Sequence, residues 1–125
     1  MKLKRIFFLA AMLALTSNAQ EKKEKKADAS FENYAYSDAI NSYENLVNKG
    51  FSSEEIFKNL GNANYLNANY KEAAEWYGKL MNLNEATVDP EYLYKYAQTL
   101  KTLQKYKESD AWMLKFEAAK KQDNR

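Results

Sequence analysis

The stretch Ile56 to Met81 reads IFKNLGNANYLNANYKEAAEWYGKLM, and it decides the fold. Ile56, Phe57, Leu60, Gly61 and Asn64 recur at spacings of three and four, the period of one helix face. After the short polar break Asn67-Ala68-Asn69, a second stripe of the same period runs through Tyr70, Ala73, Ala74, Tyr77, Leu80 and Met81. Two amphipathic helices joined so briefly fold back on each other, because neither can bury its stripe alone. Gly61 removes a side chain where the two helices meet, which predicts a close approach.

The pattern extends in both directions. Tyr36-Ser37-Asp38-Ala39-Ile40, then Tyr43, Leu46 and Val47, matches Tyr70-Lys71-Glu72-Ala73-Ala74, Tyr77, Leu80 and Met81 at a shift of 34 residues. A weaker copy follows at a shift of 36, in Tyr106-Lys107-Glu108-Ser109, Trp112, Met113 and Phe116, where Asp110 breaks the stripe. Leu93, Tyr96, Ala97, Leu100 and Leu103 repeat the first stripe 36 residues on, with Ala97 in the slot of Gly61 and Gln104-Lys105 as the connector. Self-similarity at a fixed period marks a solenoid, whose units bury their faces against one another. Punctuation agrees: Gly50 terminates one helix, Ser52 with Glu55 reads as a capping box, and Asp89-Pro90 opens the next helix. Glu54 with Lys58, Glu75 with Lys79 and Glu91 with Lys95 are spaced as solvated ion pairs.

Composition excludes much chemistry. The 125 residues contain no Cys and no His, so disulfides, zinc fingers, imidazole-ligated metals and Cys/His or Ser/His/Asp catalysis are all ruled out. Adjacent acids such as Glu54 and Glu55 point to different helix faces and form no acid/base pair, so we expect no enzyme, no cofactor and no metal. Lys2, Lys4 and Arg5 precede the apolar run Ile6–Leu15 and the small-residue junction Ser17-Asn18-Ala19, the pattern of a secretory signal cut after Ala19. The run is too short to span a membrane. Its removal leaves 16 bases against 17 acids, so the mature chain loses the basic balance of the full chain and carries no nucleic-acid footprint. We therefore expect a signal peptide at 1–19, a charged flexible N-terminus at 20–26, a helical repeat domain at 27–121 and a tail at 122–125.

The middle unit resembles the tetratricopeptide repeat. Phe57 stands in the Trp slot, Leu60-Gly61 in the Leu-Gly slot, Asn64-Tyr65 around the Tyr slot, Ala73 in the Ala slot and Tyr77 in the later aromatic slot. Asn64, Ala68 in place of a turn Gly, and Ser109 in place of Ala depart from the pattern. The resemblance implies an all-α, right-handed α-solenoid of about three hairpins, with the first helix of each lining a groove. A looser resemblance is to the helical N-terminal region of Bacteroidota envelope proteins that continue into a β-propeller and an OmpA-like peptidoglycan-binding domain, some tied to type IX secretion. It rests on Ser17-Asn18-Ala19-Gln20, Leu60-Gly61-Asn62-Ala63, Trp76-Tyr77-Gly78-Lys79 and Asp89-Pro90-Glu91-Tyr92.

Carried onto this chain, the groove is Glu55, Lys58, Asn62 and Tyr65 on one helix and Glu91, Tyr94, Gln98 and Lys101 on the next. Glu21, Glu24, Asp28 and Phe31 take the same slots if residues 21–33 are helical. Such a surface suits a protein or peptide partner in the envelope. Lys58 and Asn62 resemble the start of a carboxylate clamp, but Lys95 replaces the next expected Asn, and Asn62 reads as an ordinary solvated residue. Of the aromatic residues, Tyr36, Tyr43, Tyr70, Tyr77, Tyr96, Tyr106 and Trp112 fall at packing offsets, leaving Trp76, Tyr92 and Tyr94 for exposure. The last helix has too little chain after it to be capped, so we expect either a truncated boundary or docking there, including self-association. The sequence thus reads as an exported interaction scaffold, with a structural stalk of a peptidoglycan-tethered protein as the alternative.

Overall fold

A computed structural model describes residues 18–123, and all regular structure among the described residues is helical. The apolar run and charged flank of the expected signal lie outside them. The chain divides into two compact units, one ending at Phe51 and the other beginning at Ser52, where a single repeat domain is expected from the sequence.

The first unit is one hairpin. Helix α1 runs from 18 to 32 and α2 covers Tyr36–Asn48. Segment 20–26, expected to be flexible, is helical instead. Its Glu, Lys and Ala residues are strong helix formers, and Ala27 immediately after them is fully buried, which anchors the helix. Ala39, Ile40, Tyr43 and Leu46 supply the α2 side of this core.

The second unit contains two hairpins: α3 (Glu54–Leu66) with α4 (Tyr70–Asn84), and α5 (Pro90–Thr102) with α6 (Tyr106–Asp123). A 3-10 turn, Glu85–Thr87, joins them. Each helix packs on its neighbours in chain order, α3 on α4, α4 on α5 and α5 on α6. Ile56, Phe57, Leu60, Ala63, Ala73, Tyr77, Leu80 and Met81 form the core of the first pair, and Leu93, Ala97 and Leu100 are its α5 counterpart. The start of α3 differs from expectation. Ser53, in extended backbone, is the N-cap and accepts the Ile56 N–H at 3.1 Å, which moves the helix start one residue on and removes the box between Ser52 and Glu55. Asp89 and Pro90 begin α5 as read, although the Asp89 side chain makes no capping bond.

The three hairpin turns are built alike. Tyr34, Ala68 and Gln104 each adopt a left-handed backbone with φ of 62°, 61° and 62°. In each, the next residue's N–H reaches back to a helix carbonyl: Ala35 to Ser30 at 2.9 Å, Asn69 to Asn64 at 2.8 Å and Lys105 to Leu100 at 2.9 Å. This is the glycine-type helix ending made without glycine, so Ala68 is a departure in residue and not in geometry. Asn64, the other departure, is buried and satisfied, since its amide donates to the Leu60 carbonyl at 2.8 Å and its side-chain oxygen accepts from Asn69 at 3.4 Å. Ser109 in the Ala slot is likewise buried, with its hydroxyl donating to the Ala97 carbonyl at 2.7 Å.

Ala27, Gly61 and Ala97 occupy the matching slot of the three hairpins, and all three are buried. The fit is tightest at Gly61. A Cβ built there would overlap Cδ1 and Cε1 of the Tyr77 ring and lie 3.0 Å from Cζ. In the last hairpin the pair at the corresponding positions is Ala97 with Met113, a flexible side chain in place of a rigid ring. Gly61→Ala is therefore expected to lower unfolding free energy by about 1–3 kcal/mol, the cost of overfilling a packed core. Gly61→Ala combined with Tyr77→Met should regain part of that loss in denaturant titration; a double variant no more stable than Gly61→Ala would refute the packing argument.

Candidate functional site

Where α3 and α5 present their side chains to a common face, four polar and aromatic residues converge. Asn62 lies at the centre. Its side-chain oxygen accepts the Tyr77 hydroxyl at 2.7 Å and the Lys95 ammonium at 3.4 Å, and its amide donates to the Tyr92 hydroxyl at 3.4 Å. The ammonium groups of Lys58 and Lys95 both stand over the Tyr92 ring, 5.2 Å and 5.0 Å from its centroid. Each cation–ring contact contributes about 0.5–2 kcal/mol according to how dry it is, and Lys58 is the drier, with its side chain only 14% exposed. Glu55 and Glu91 lie at the rim, pairing with Lys58 at 3.7 Å and Lys95 at 3.2 Å. Lys58 thus takes Glu55, one turn back, and not the expected Glu54.

The helical repeat explains this convergence. Tyr77 projects from α4 through the space that Gly61 leaves free, and its hydroxyl emerges beneath Asn62. Burial, followed by the electrostatic influence of Tyr92, Tyr65 and Glu91, raises the pKa of Tyr77 above the ordinary tyrosine value. The same pairing exists in the first unit, 34 residues earlier, where the buried Tyr43 hydroxyl donates to Asp28. Asn62 is therefore a fixed, half-buried acceptor and not the solvated residue that its sequence context suggests.

The remaining expected groove residues are distributed differently. Tyr65 borders the cluster and meets the Tyr70 ring edge-on at 5.4 Å. Tyr94 turns the other way and packs on Phe116 of α6 at 5.3 Å, so although 44% exposed it does not join the Lys58 cluster. Gln98 and Lys101 lie further along α5, with no side-chain contact to the cluster among the described residues. In the first unit, Asp28 is engaged by Tyr43 and Phe31 packs on Tyr36, so both serve their own hairpin. Tyr92 and Tyr77 are the residues that the groove reading leaves out. A tyrosine 15 residues after a polar groove position recurs in two hairpins, Asp28 with Tyr43 and Asn62 with Tyr77, and that recurrence was the signal for Tyr77 in the sequence; Tyr92 had none.

Apart from this cluster, two further ring pairs carry lysines. Trp76 lies against Phe57 at 5.7 Å with the Lys79 ammonium 4.3 Å over it, so Lys79 takes the indole in place of the expected Glu75. Trp112 stacks on Tyr96 at 5.0 Å and carries Lys115 at 4.1 Å. Tyr106, placed by the repeat at a packing offset, is 57% exposed, and Ser109 is the single buried residue of α6. Among the described residues no cluster of carboxylates has metal-binding geometry, and no helix is long and apolar enough to cross a membrane.

No family model and no curated protein matches the sequence. The fold does have solved counterparts. The structure of PcrH in complex with the chaperone binding region of PopB is similar to this chain with a TM-score of 0.71 at 14% identity, covering 82% of this chain and 81% of that one. The likeness shows the fold, a helical-hairpin repeat of the tetratricopeptide type.

The buried Tyr77 phenol predicts an alkaline limit. Its folded pKa is raised, so its contribution is fully present below the unfolded tyrosine value of about 10 and is lost as pH rises beyond it, where only the unfolded chain ionises freely. Unfolding free energy should fall with pH above about 10, and Tyr77→Phe should make that fall shallower. Equal slopes for the two proteins would contradict it. Tyr96, raised by burial and then by Glu108, leaves a residual slope in the variant.

Proposed function

We propose that this protein is a non-enzymatic interaction scaffold that binds an extended peptide across α3 and α5, with a carboxylate of that peptide seated between Lys58 and Lys95. The observation that carries the reading is the pair of ammonium groups held over one half-buried tyrosine ring, with Asn62 fixed between them. Two cations and an amide on one face form a charge-assisted donor set for a carboxylate, while Tyr65 and Tyr92 offer ring surface to neighbouring side chains. The complex of the similarly folded PcrH with a segment of PopB supports a peptide as the ligand class.

The scaffold works outside the cytoplasm in this proposal, as an accessory or assembly part of an envelope complex at the outer membrane of the OmpA-containing type. The support is the leader pattern of Lys2, Lys4, Arg5 and Ile6–Leu15, and the resemblance of the Leu60–Ala63 and Asp89–Tyr92 motifs.

A photo-crosslinking residue at Tyr65, beside the cluster, tests both parts in the cell envelope. A discrete adduct is expected, reduced about tenfold or more by Lys58→Glu with Lys95→Glu and unchanged by Lys101→Glu. An adduct indifferent to the charge reversals, in variants that melt as the parent does, would remove Lys58 and Lys95 from the site. No adduct at all would leave the chain as a spacer without a ligand of its own.

A further inference from the structure

The first unit holds a second arrangement that the peptide-binding reading does not use. Lys23 and Lys26 lie one turn apart on α1, and Ser42, Asn45 and Leu46 of α2 continue to Lys49, which caps that helix. These six residues line a cavity of about 160 Å³. Three lysines thus border one small space, and none of them has a carboxylate partner within ion-pair distance among the described residues. Elsewhere the lysines that gather at a site have counter-groups: Lys58 has Glu55, Lys95 has Glu91, Lys115 has Glu85, and Lys79 stands over an indole. The neighbouring Lys49, above all, lowers the pKa of Lys23 below the ordinary lysine value.

Like charges held together are relieved by an anion between them. We propose that Lys23, Lys26 and Lys49 form a binding site for a phosphate-class oxyanion, with the Ser42 hydroxyl and the Asn45 amide as neutral donors. Three cations and two neutral donors on two helices surround a ligand from several directions, which a tetrahedral anion with four oxygens satisfies better than a flat carboxylate with two. The volume admits one such group with some water, and Leu46 is the apolar member of the lining. Free phosphate and the phosphate of a lipid headgroup share this chemistry.

The full-length chain is titrated with inorganic phosphate by calorimetry. Saturable binding is expected, weakened about tenfold by Lys23→Gln and by Lys49→Gln, the equivalent of one charge-assisted hydrogen bond, and unchanged by Lys22→Gln on the same helix outside the cavity. In phosphate-free buffer Lys49→Gln should melt no lower than the parent, because removing one charge relieves the repulsion. A parallel arm measures sedimentation with phosphatidylcholine vesicles with and without phosphatidic acid. Association that needs phosphatidic acid and disappears in the Lys23→Gln, Lys49→Gln double variant assigns the headgroup, and phosphate binding without vesicle association assigns the free anion. Phosphate affinity equal in the Lys22→Gln and Lys49→Gln variants, or neither phosphate nor vesicle binding by the parent chain, overturns the site.

Discussion

The hydroxyl of Tyr77, donated to Asn62 through the gap at Gly61, is the contact on which the second unit's surface depends. A tyrosine ring is rigid, and its hydroxyl can reach past a neighbouring helix only where the residue at the crossing is small, as Gly61 is here and Ala27 is in the first hairpin. Gly61 supplies the opening, burial of the ring supplies the driving force, and the polar tip finds its acceptor at the surface. Asn62 is then held in one orientation, with its oxygen turned to Lys95 and its amide to Tyr92. The arrangement over Tyr92 thus follows from a core packing event on a different helix.

The comparison among hairpins shows which parts of this device are general. Ala27 and Ala97 stand where Gly61 does, and Tyr43 donates to Asp28 as Tyr77 does to Asn62. The third hairpin has Met113 and Gln98 at those positions and shows no such bond. Packing of paired helices is therefore common to all three hairpins, whereas the polar contact from core to surface belongs to two. The left-handed turn at Tyr34, Ala68 and Gln104 is common to all three and is carried by residues that share no chemistry, so it is imposed by the hairpin and not chosen by the side chain.

Much of the fold was legible because helix period and repeat length act over many residues at once. The stripes from Ile56 to Met81 and from Leu93 to Leu103 set the helices, and the shifts of 34 and 36 set their pairing. Details decided by a single residue were not legible: whether Ser52 or Ser53 caps α3, or whether segment 20–26 is ordered. The candidate site was half legible. Lys58 and Asn62 follow from the groove register, but Tyr94 does not, because Phe116 offers it an aromatic partner from α6 that helix spacing on α5 cannot reveal. Tyr92 is one residue off the register and enters because two lysines and Asn62 each need its ring or hydroxyl.

The route from Gly61 through Tyr77 to Asn62 ties the surface at Asn62 to the folding of the α3–α4 hairpin. Whatever steadies Asn62 from outside also favours the seated ring, so an occupied face and a closed hairpin reinforce each other by mass action. A substitution at position 62 is correspondingly tied to the interior at positions 61 and 77, while Gln98 and Lys101 have no such link to the core of that hairpin.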